Sequence, residues 1–299
     1  MVRVRAPATT ANLGPGFDTL GMALNLYLQV EVELTGSGIE IVFSGARDRS
    51  IMESPQENLL YKAMNHVFKQ AGYKPAGLYL EIDNDIPMAR GLGSSAAAIV
   101  AGMFAANRLI GDRFLPVELL RWAAELEGHA DNIVPSVTGG LTTAMVYEGE
   151  IYYQQIELGK QLEVVAAVPD FFLTTEQSRA VLPQNIPLPA AISNLQRACF
   201  LLASLQNGDL DHLGKSMKDM VYQPLRKQFI PGFDQVVEAA LGAGALGAAL
   251  SGAGPSIMAF AVEGRELPVG LAMERAFQEA GVKSQVLYLR PDLRGVEFY

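Results

Sequence analysis

Residues 87–98 read Pro87-Met88-Ala89-Arg90-Gly91-Leu92-Gly93-Ser94-Ser95-Ala96-Ala97-Ala98. They follow a strand-like run at residues 77–83 and open a helix-like run that lasts to about residue 110. Two glycines separated by one residue permit backbone conformations that a Cβ would forbid. Two serines then stand where the helix begins, and the alanines after them are the strongest helix formers. A helix N-terminus presents unpaired N–H groups and partial positive charge, so it is a ready anion site. The stretch predicts a loop wrapping a phosphate chain, and the bland alternative is a glycine turn with a serine cap.

The surrounding composition narrows what such a loop can serve. The 299 residues suit one large domain or two ordinary ones, and 49% hydrophobic against 18% charged residues implies a sizeable core without disorder. The formal charge of -9 excludes a nucleic-acid binder, which would carry a basic face. A phosphate ligand must therefore be held by local groups acting against the overall field. Cys199 is the only cysteine, which excludes an intramolecular disulfide and a cysteine-based zinc site. Its neighbours at 197–202 predict a buried helix and an inert core thiol. The N-terminal alternation Val2-Arg3-Val4-Arg5 predicts a strand with no apolar signal region after it. The longest apolar runs, 96–106 and 239–250, fall short of the ~20 residues that a membrane span needs. A soluble cytoplasmic protein without membrane or nucleic-acid partners is expected, with a homodimer expected on base rates alone.

Along the chain, residues 6–18 are rich in Pro, Gly and small hydroxyls and predict a long functional loop. Leu26, Leu28, Val30, Val32 and Leu34 alternate with polar residues as a half-buried strand, and residues 38–43 are expected to pair antiparallel with it. Apolar residues from Leu59 to Ala71 fall at helical spacing, with Asn58 at the entry as an N-cap or a ligand contact. The helix at 96–110 is apolar on nearly every face and predicts a buried element. Another helix starts at Pro116 and runs to about Glu127. Beyond a soft boundary between 150 and 165 come helices at 190–205, 209–220 and 232–241. The end reads strand, Gly-rich turn (251–255), strand, helix, strand.

Four stretches in order, APATTANLGPGFDTLG (6–21), PMARGLGSSAAA (87–98), EGHADNIVPSVTGG (127–140) and ALSGAGPSI (249–257), resemble the GHMP kinase superfamily of small-molecule kinases. The resemblance spans essentially the full length and is most specific to the branch that phosphorylates the side-chain hydroxyl of L-homoserine, on the route to threonine. It implies an α+β fold of two domains. Residues 1–155 would form an ATP-binding domain with a left-handed βαβ crossover, against the usual handedness, and residues 156–299 a ferredoxin-like domain.

The same resemblance implies the site. ATP would meet Asn58, Pro87, Met88, Ala89, Arg90, Gly91, Leu92, Gly93, Ser94, Ser95, Ala96 and Ala97. Mg²⁺ would be shared by Ser95 and Glu127. The family often has a longer segment between that glutamate and the histidine, so Glu125 competes with Glu127. Arg179 and Arg226, with Thr175, would take the substrate carboxylate, for which a forked guanidinium is the best cation. Asn12 and Asp18 would take its ammonium, and His129 and Asp131 would surround the alcohol. The chemistry of the residues agrees. Phosphoryl transfer needs positioning and charge neutralisation more than covalent work. The P-loop lysine pattern is absent, and Mg²⁺ needs few protein oxygens.

His129, Asn132 and Arg179 are the candidates for contact with the reacting groups. Other superfamily members place a lysine near the start and an aspartate in the third segment. Thr9 and Asn132 stand at those positions here, and neither can serve as an aspartate base. The γ-phosphate itself would then take the proton. The alternatives are a related kinase for another small alcohol and a catalytically silent nucleotide-binding regulator. Asn132→Ala is expected to lower kcat by much less than the ~10²–10⁴-fold that loss of a true base costs, with substrate binding intact in steady-state kinetics.

Overall fold

The computed structural model describes residues 1–44 and 57–299. Eleven strands are described: β1 (Val2–Ala11), β2 (Leu20–Thr35), β3 (Gly38–Phe43), β4 (Gly77–Asn84), β5 (Leu141–Tyr147), β6 (Glu150–Ile156), β7 (Glu163–Pro169), β8 (Gly247–Leu250), β9 (Ile257–Ala261), β10 (Ser284–Leu289) and β11 (Glu297–Phe298). The helices are α1 (Leu59–Gln70), α2 (Ser94–Leu109), α3 (Pro116–Glu127), α4 (Ile133–Thr138), α5 (Thr175–Ala180), α6 (Leu188–Asn207), α7 (Leu213–Ser216), α8 (Gln223–Arg226), α9 (Phe233–Gly242) and α10 (Glu266–Glu279).

The first sheet runs β11-β1-β2-β4-β3, and β5 and β6 extend it from the start of β2. Its inward residues, among them Val4, Met22, Val30 and Leu80, are buried against Leu60, Met64 and Phe68 of α1 and the small residues of α2. The absence of a side chain at Gly102 lets α2 lie against the main-chain oxygen of Leu60, as its run of small residues predicts. The second sheet runs β10-β7-β9-β8, all antiparallel. Counted in its own chain order this is 4-1-3-2, the ferredoxin-like arrangement. Strand β7 is buried on both faces. Val165 and Ala167 pack with α9 and α10, while Val164, Ala166 and Val168 join the core that continues into the first sheet. The last strand, β11, returns to β1, with Val4 opposite Phe298.

Four expectations are corrected. Residues 38–43 do not pair with β2; β3 lies parallel to β4, joined by a crossover that contains α1. The edge that a hairpin would need is held by β4 from Leu28 to Thr35. The presumed loop at 6–18 begins only after Ala11, because small residues let β1 run on, buried, with a bulge at Pro7/Ala8 that tolerates the proline. Residues 209–220 hold only the single turn α7. The chain there turns on Asp219, whose carboxylate accepts the N–H groups of Val221, Tyr222 and Gln223. Cys199 is exposed, because α6 buries only Leu201, Ser204 and Leu205 and leaves its other faces open. Among the described residues no helix is long and apolar enough to cross a membrane.

Phe68, 1% exposed, ties α1 to the first sheet. Phe68→Ala is expected to lower the unfolding free energy by about 3–5 kcal/mol, read from urea titration.

Candidate active site

The ends of β1, α2, α4 and the 251–255 turn converge on one cleft of about 440 Å³. Its floor is the glycine loop. Gly91 and Gly93 both have positive φ, at 76° and 68°. A Cβ on Gly91 would overlap the main chain of Ser251, and one on Gly93 would overlap Thr9 Oγ1. Gly93, not a serine, is the N-cap of α2, and no side chain caps the helix. The first-turn N–H groups are thereby left for a ligand, and Ser95 is left for other work. Ser95 Oγ donates to Glu127 Oε1 at 2.5 Å. Burial raises the Glu127 carboxyl above its usual range, opposed by that hydrogen bond. Glu125 is instead largely exposed beside Arg121 and does not line the cleft.

Gly128, left-handed at φ 89°, ends α3 and turns the chain into the short loop before α4. There His129 Nδ1 lies 2.7 Å from Asp131 Oδ1, and His129 Nε2 lies 3.9 Å from Glu127 Oε1. Burial acts to lower the His129 pKa, but the Asp131 bond and the two carboxylates prevail and hold it above the ordinary value. Asn132 Nδ2 donates to Asp131 Oδ1 at 3.3 Å, and Thr9 Oγ1 donates to Asn132 Oδ1 at 2.8 Å.

The opposite wall carries the cations. Arg179 at the end of α5 meets Asp18 in a two-pronged pair, at 3.1 and 2.7 Å. Asp18 holds φ at 53°, and its N–H donates to Asn12 Oδ1 at 3.0 Å. Arg226 is 2% exposed. Its Nε donates to the Ser178 carbonyl and its Nη1 to the Gly252 carbonyl, both at 3.1 Å. Its guanidinium faces the rings of Phe17 and Tyr222. Burial pulls its pKa below the ordinary value. Among the described residues no carboxylate lies within ion-pair distance of it. The Gly252 carbonyl also accepts from Asn12 Nδ2 at 3.1 Å, so one oxygen ties Asn12 to Arg226.

The 251–255 turn closes the site from the second sheet. Ser251 Oγ donates to the Gly91 carbonyl at 2.7 Å and lies 2.8 Å from Thr10 Oγ1. The N–H of Gly252 donates to the Ala11 carbonyl.

Asn12, Asp18, Asn58, Met88, Ala89, Arg90, Gly91, Gly93, Ser94, Ser95, Glu127, His129, Asp131, Asn132, Thr175, Arg179 and Arg226 all line the cleft. Pro87, Leu92, Ala96 and Ala97 do not; Leu92, Ala96 and Ala97 face the core. Asn58 both lines the cleft and caps α1, accepting the Tyr61 N–H at 3.1 Å. The capping hydroxyl of α5 is Thr174, which leaves Thr175 in the cleft wall. Sequence reasoning missed Phe17, Ser178 and Tyr222, which brace the two arginines; only the place of Phe17 beside Asp18 signalled any of them.

A glycine loop at a helix start thus faces two arginines across a cleft lined from both sheets' halves of the chain. Residues 58–140 match the family described as GHMP kinases N terminal domain, and residues 201–280 match GHMP kinases C terminal. The homoserine kinase of Moorella thermoacetica is 46% identical over 291 residues, covering 97% of each chain. That of Carboxydothermus hydrogenoformans is 44% identical over 304 residues, covering 99% of this chain and 96% of its own. The crystal structure of homoserine kinase from Cytophaga hutchinsonii superposes with a TM-score of 0.90 at 32% identity, covering 100% of this chain and 97% of that one. The L. major mevalonate kinase shares the fold, with a TM-score of 0.75 at 18% identity, covering 97% of this chain and 95% of that one. The chain belongs to the homoserine kinase family.

Gly91→Ala is expected to strain the loop by on the order of 1–3 kcal/mol and, because its Cβ would strike the 251–254 turn, to weaken nucleotide and amino-acid binding together, read by calorimetry.

Proposed function

We propose that the protein transfers the γ-phosphoryl group of ATP to the side-chain hydroxyl of L-homoserine, acting in the cytoplasm. The observation that carries the substrate is Arg226. A buried guanidinium bonded only to carbonyl oxygens and aromatic faces is costly unless an anion completes it. Arg179 and Asp18 stand beside it as a pair. A carboxylate and an ammonium on one carbon match that cation–cation–anion array, and mevalonate, which lacks an ammonium, leaves Asp18 unused.

The nucleotide occupies the other side in this reading. The first-turn amides of α2 and the loop amides cradle the phosphates, with Arg90 adding a cation. Leu28, Phe43, Leu59 and Ile82 form an apolar wall suited to a base. The division at 155/156 then separates the nucleotide half from the half that supplies Arg179 and Arg226.

Ser95 and Glu127 fit Mg²⁺. Both offer oxygen, they already touch, and the Glu127 carboxyl is desolvated with no cation within ion-pair distance other than His129 among the described residues. When bound there, the ion would neutralise phosphate charge. The chain's own groups do the rest. Arg226 and Arg179 orient the amino acid by its carboxylate, Asp18 and Asn12 by its ammonium, and His129 and Asp131 line the approach of the hydroxyl. The hydroxyl attacks the γ-phosphorus, the bond to the ADP oxygen breaks, and the hydroxyl proton passes to the phosphoryl oxygen.

The test is ADP release with L-homoserine, mevalonate and L-threonine as acceptors. L-Homoserine-dependent release is expected, and its absence with any alcohol would falsify an enzymatic role. Arg226→Gln is expected to raise KM for L-homoserine by about 100-fold or more, the scale of a broken buried charge pair. Arg179→Ala should raise it with little change in KM for ATP, and equal effects on both substrates would remove Arg179 from the carboxylate site.

A further inference from the structure

Thr9 lies in β1 and is fully buried. Three contacts define its place. Its N–H donates to the Leu92 carbonyl at 3.1 Å, holding the glycine loop to β1. Its hydroxyl lies directly beneath Gly93, where a Cβ would strike it. The same hydroxyl reaches Asn132 Oδ1 at 2.8 Å.

The orientation of the Asn132 carboxamide follows from donor and acceptor chemistry. Asp131, 2% exposed and close to His129 Nδ1, offers acceptors. The amide group of Asn132 that faces it at 3.3 Å must be the NH₂. The oxygen of Asn132 then faces Thr9, and a carbonyl oxygen can only accept, so the Thr9 hydroxyl donates. One hydrogen of Asn132 Nδ2 is used by Asp131. The second has no partner among the described residues, and Asn132 lines the cleft.

We propose that Thr9 is a positioning residue that locks the Asn132 carboxamide with its free N–H turned toward the transferring phosphoryl group. The proposal rests on the kinase reading above and assigns Asn132 its direction: donor to an equatorial phosphoryl oxygen, not acceptor of the substrate proton. Charge in such a transition state is spread over the equatorial oxygens, where a fixed donor is most useful. A donor to the attacking oxygen would instead hold back its lone pair. In the step, the alcohol oxygen bonds to the γ-phosphorus as the bond to the ADP oxygen breaks, the alcohol proton moves to a phosphoryl oxygen, and the Asn132 hydrogen stays on nitrogen throughout. Thr9 and Asn132 thus form a neutral pair that needs no proton transfer.

Thr9→Val keeps the shape and removes the donor. It is expected to lower kcat about tenfold, the worth of one buried hydrogen bond, with KM for ATP and L-homoserine changed less than about twofold. Thr9→Ser should restore most of kcat. In an Asn132→Ala background, Thr9→Val should add nothing, because a single interaction is lost only once. Unchanged kcat in Thr9→Val, or multiplying effects in the double variant, would overturn the proposal. Thr9→Ala, which removes the hydroxyl without placing a methyl beside Gly93 and Asn132, repeats the comparison if Thr9→Val does not fold.

The Asn132 NH₂ resonances in ¹⁵N-labelled protein, assigned with Asn132→Ala, supply a readout that needs no turnover. They should shift when a non-hydrolysable ATP analogue is added to the wild-type protein and stay put in Thr9→Val. Silence in both overturns the proposal. A shift together with no turnover of L-homoserine would sink the substrate reading and leave Thr9 in its role.

Discussion

Three backbones meet at Ser251, and the site exists because they can approach so closely. The Ser251 hydroxyl donates to the glycine-loop carbonyl of Gly91 and touches Thr10 of β1, while Gly252 N–H bonds the end of β1. A methyl group on Gly91 would overlap this junction. The turn of the second sheet therefore sits directly on the loop that opens α2. Without it, the glycine-loop wall and the arginine wall would belong to separate halves. Strand β7, buried on both faces, extends the same union into the core.

That junction also sets the electrostatics. A chain of charge -9 gathers three arginines around one cleft, and each is held differently. Arg179 is half-exposed and neutralised by Asp18. Arg90 is close to Asp170 at 3.4 Å and lies over Phe172. Arg226 is buried against carbonyls and rings, and burial lowers its pKa. A buried cation with only dipolar partners retains a strong field in low dielectric, whereas a solvated pair is screened. The carboxylates of Glu127 and Asp131 lie on the opposite side around His129. Opposed charges across a small cleft favour a dipolar guest in a single orientation.

Much of the fold was legible in local pattern. The helical spacing at 59–71, the all-apolar run of α2 and the proline at the start of α3 each lie where the structure has a helix. What misled were features whose local form has two tertiary uses. A glycine turn at 36–38 resembles a hairpin, yet β4 takes the edge of β2 that a hairpin would use. The polar and apolar mix at 209–220 resembles an amphipathic helix, yet Asp219 captures the N–H groups that follow it and turns the chain. Cys199 sits in apolar company along the chain, yet that stretch of α6 faces outward.

The site divides in the same way. Sequence alone made the glycine loop and the acid–imidazole–amide cluster at 127–132 legible, because each needs particular residue types at short spacing, whereas Arg179 and Arg226, far apart in the chain, were singled out only by the family resemblance. Only the tertiary structure decided that Glu127 rather than Glu125 reaches Ser95, since one helical face points into the cleft and the other to solvent. It also decided that Thr9 meets Asn132 across 123 residues, that Gly252 offers one carbonyl to both Asn12 and Arg226, and that Phe17 and Tyr222 flank a buried guanidinium. These contacts join segments far apart in the chain. Spacing along a sequence carries no information about which distant carbonyl will lie 3 Å from a side chain once three backbones have packed together.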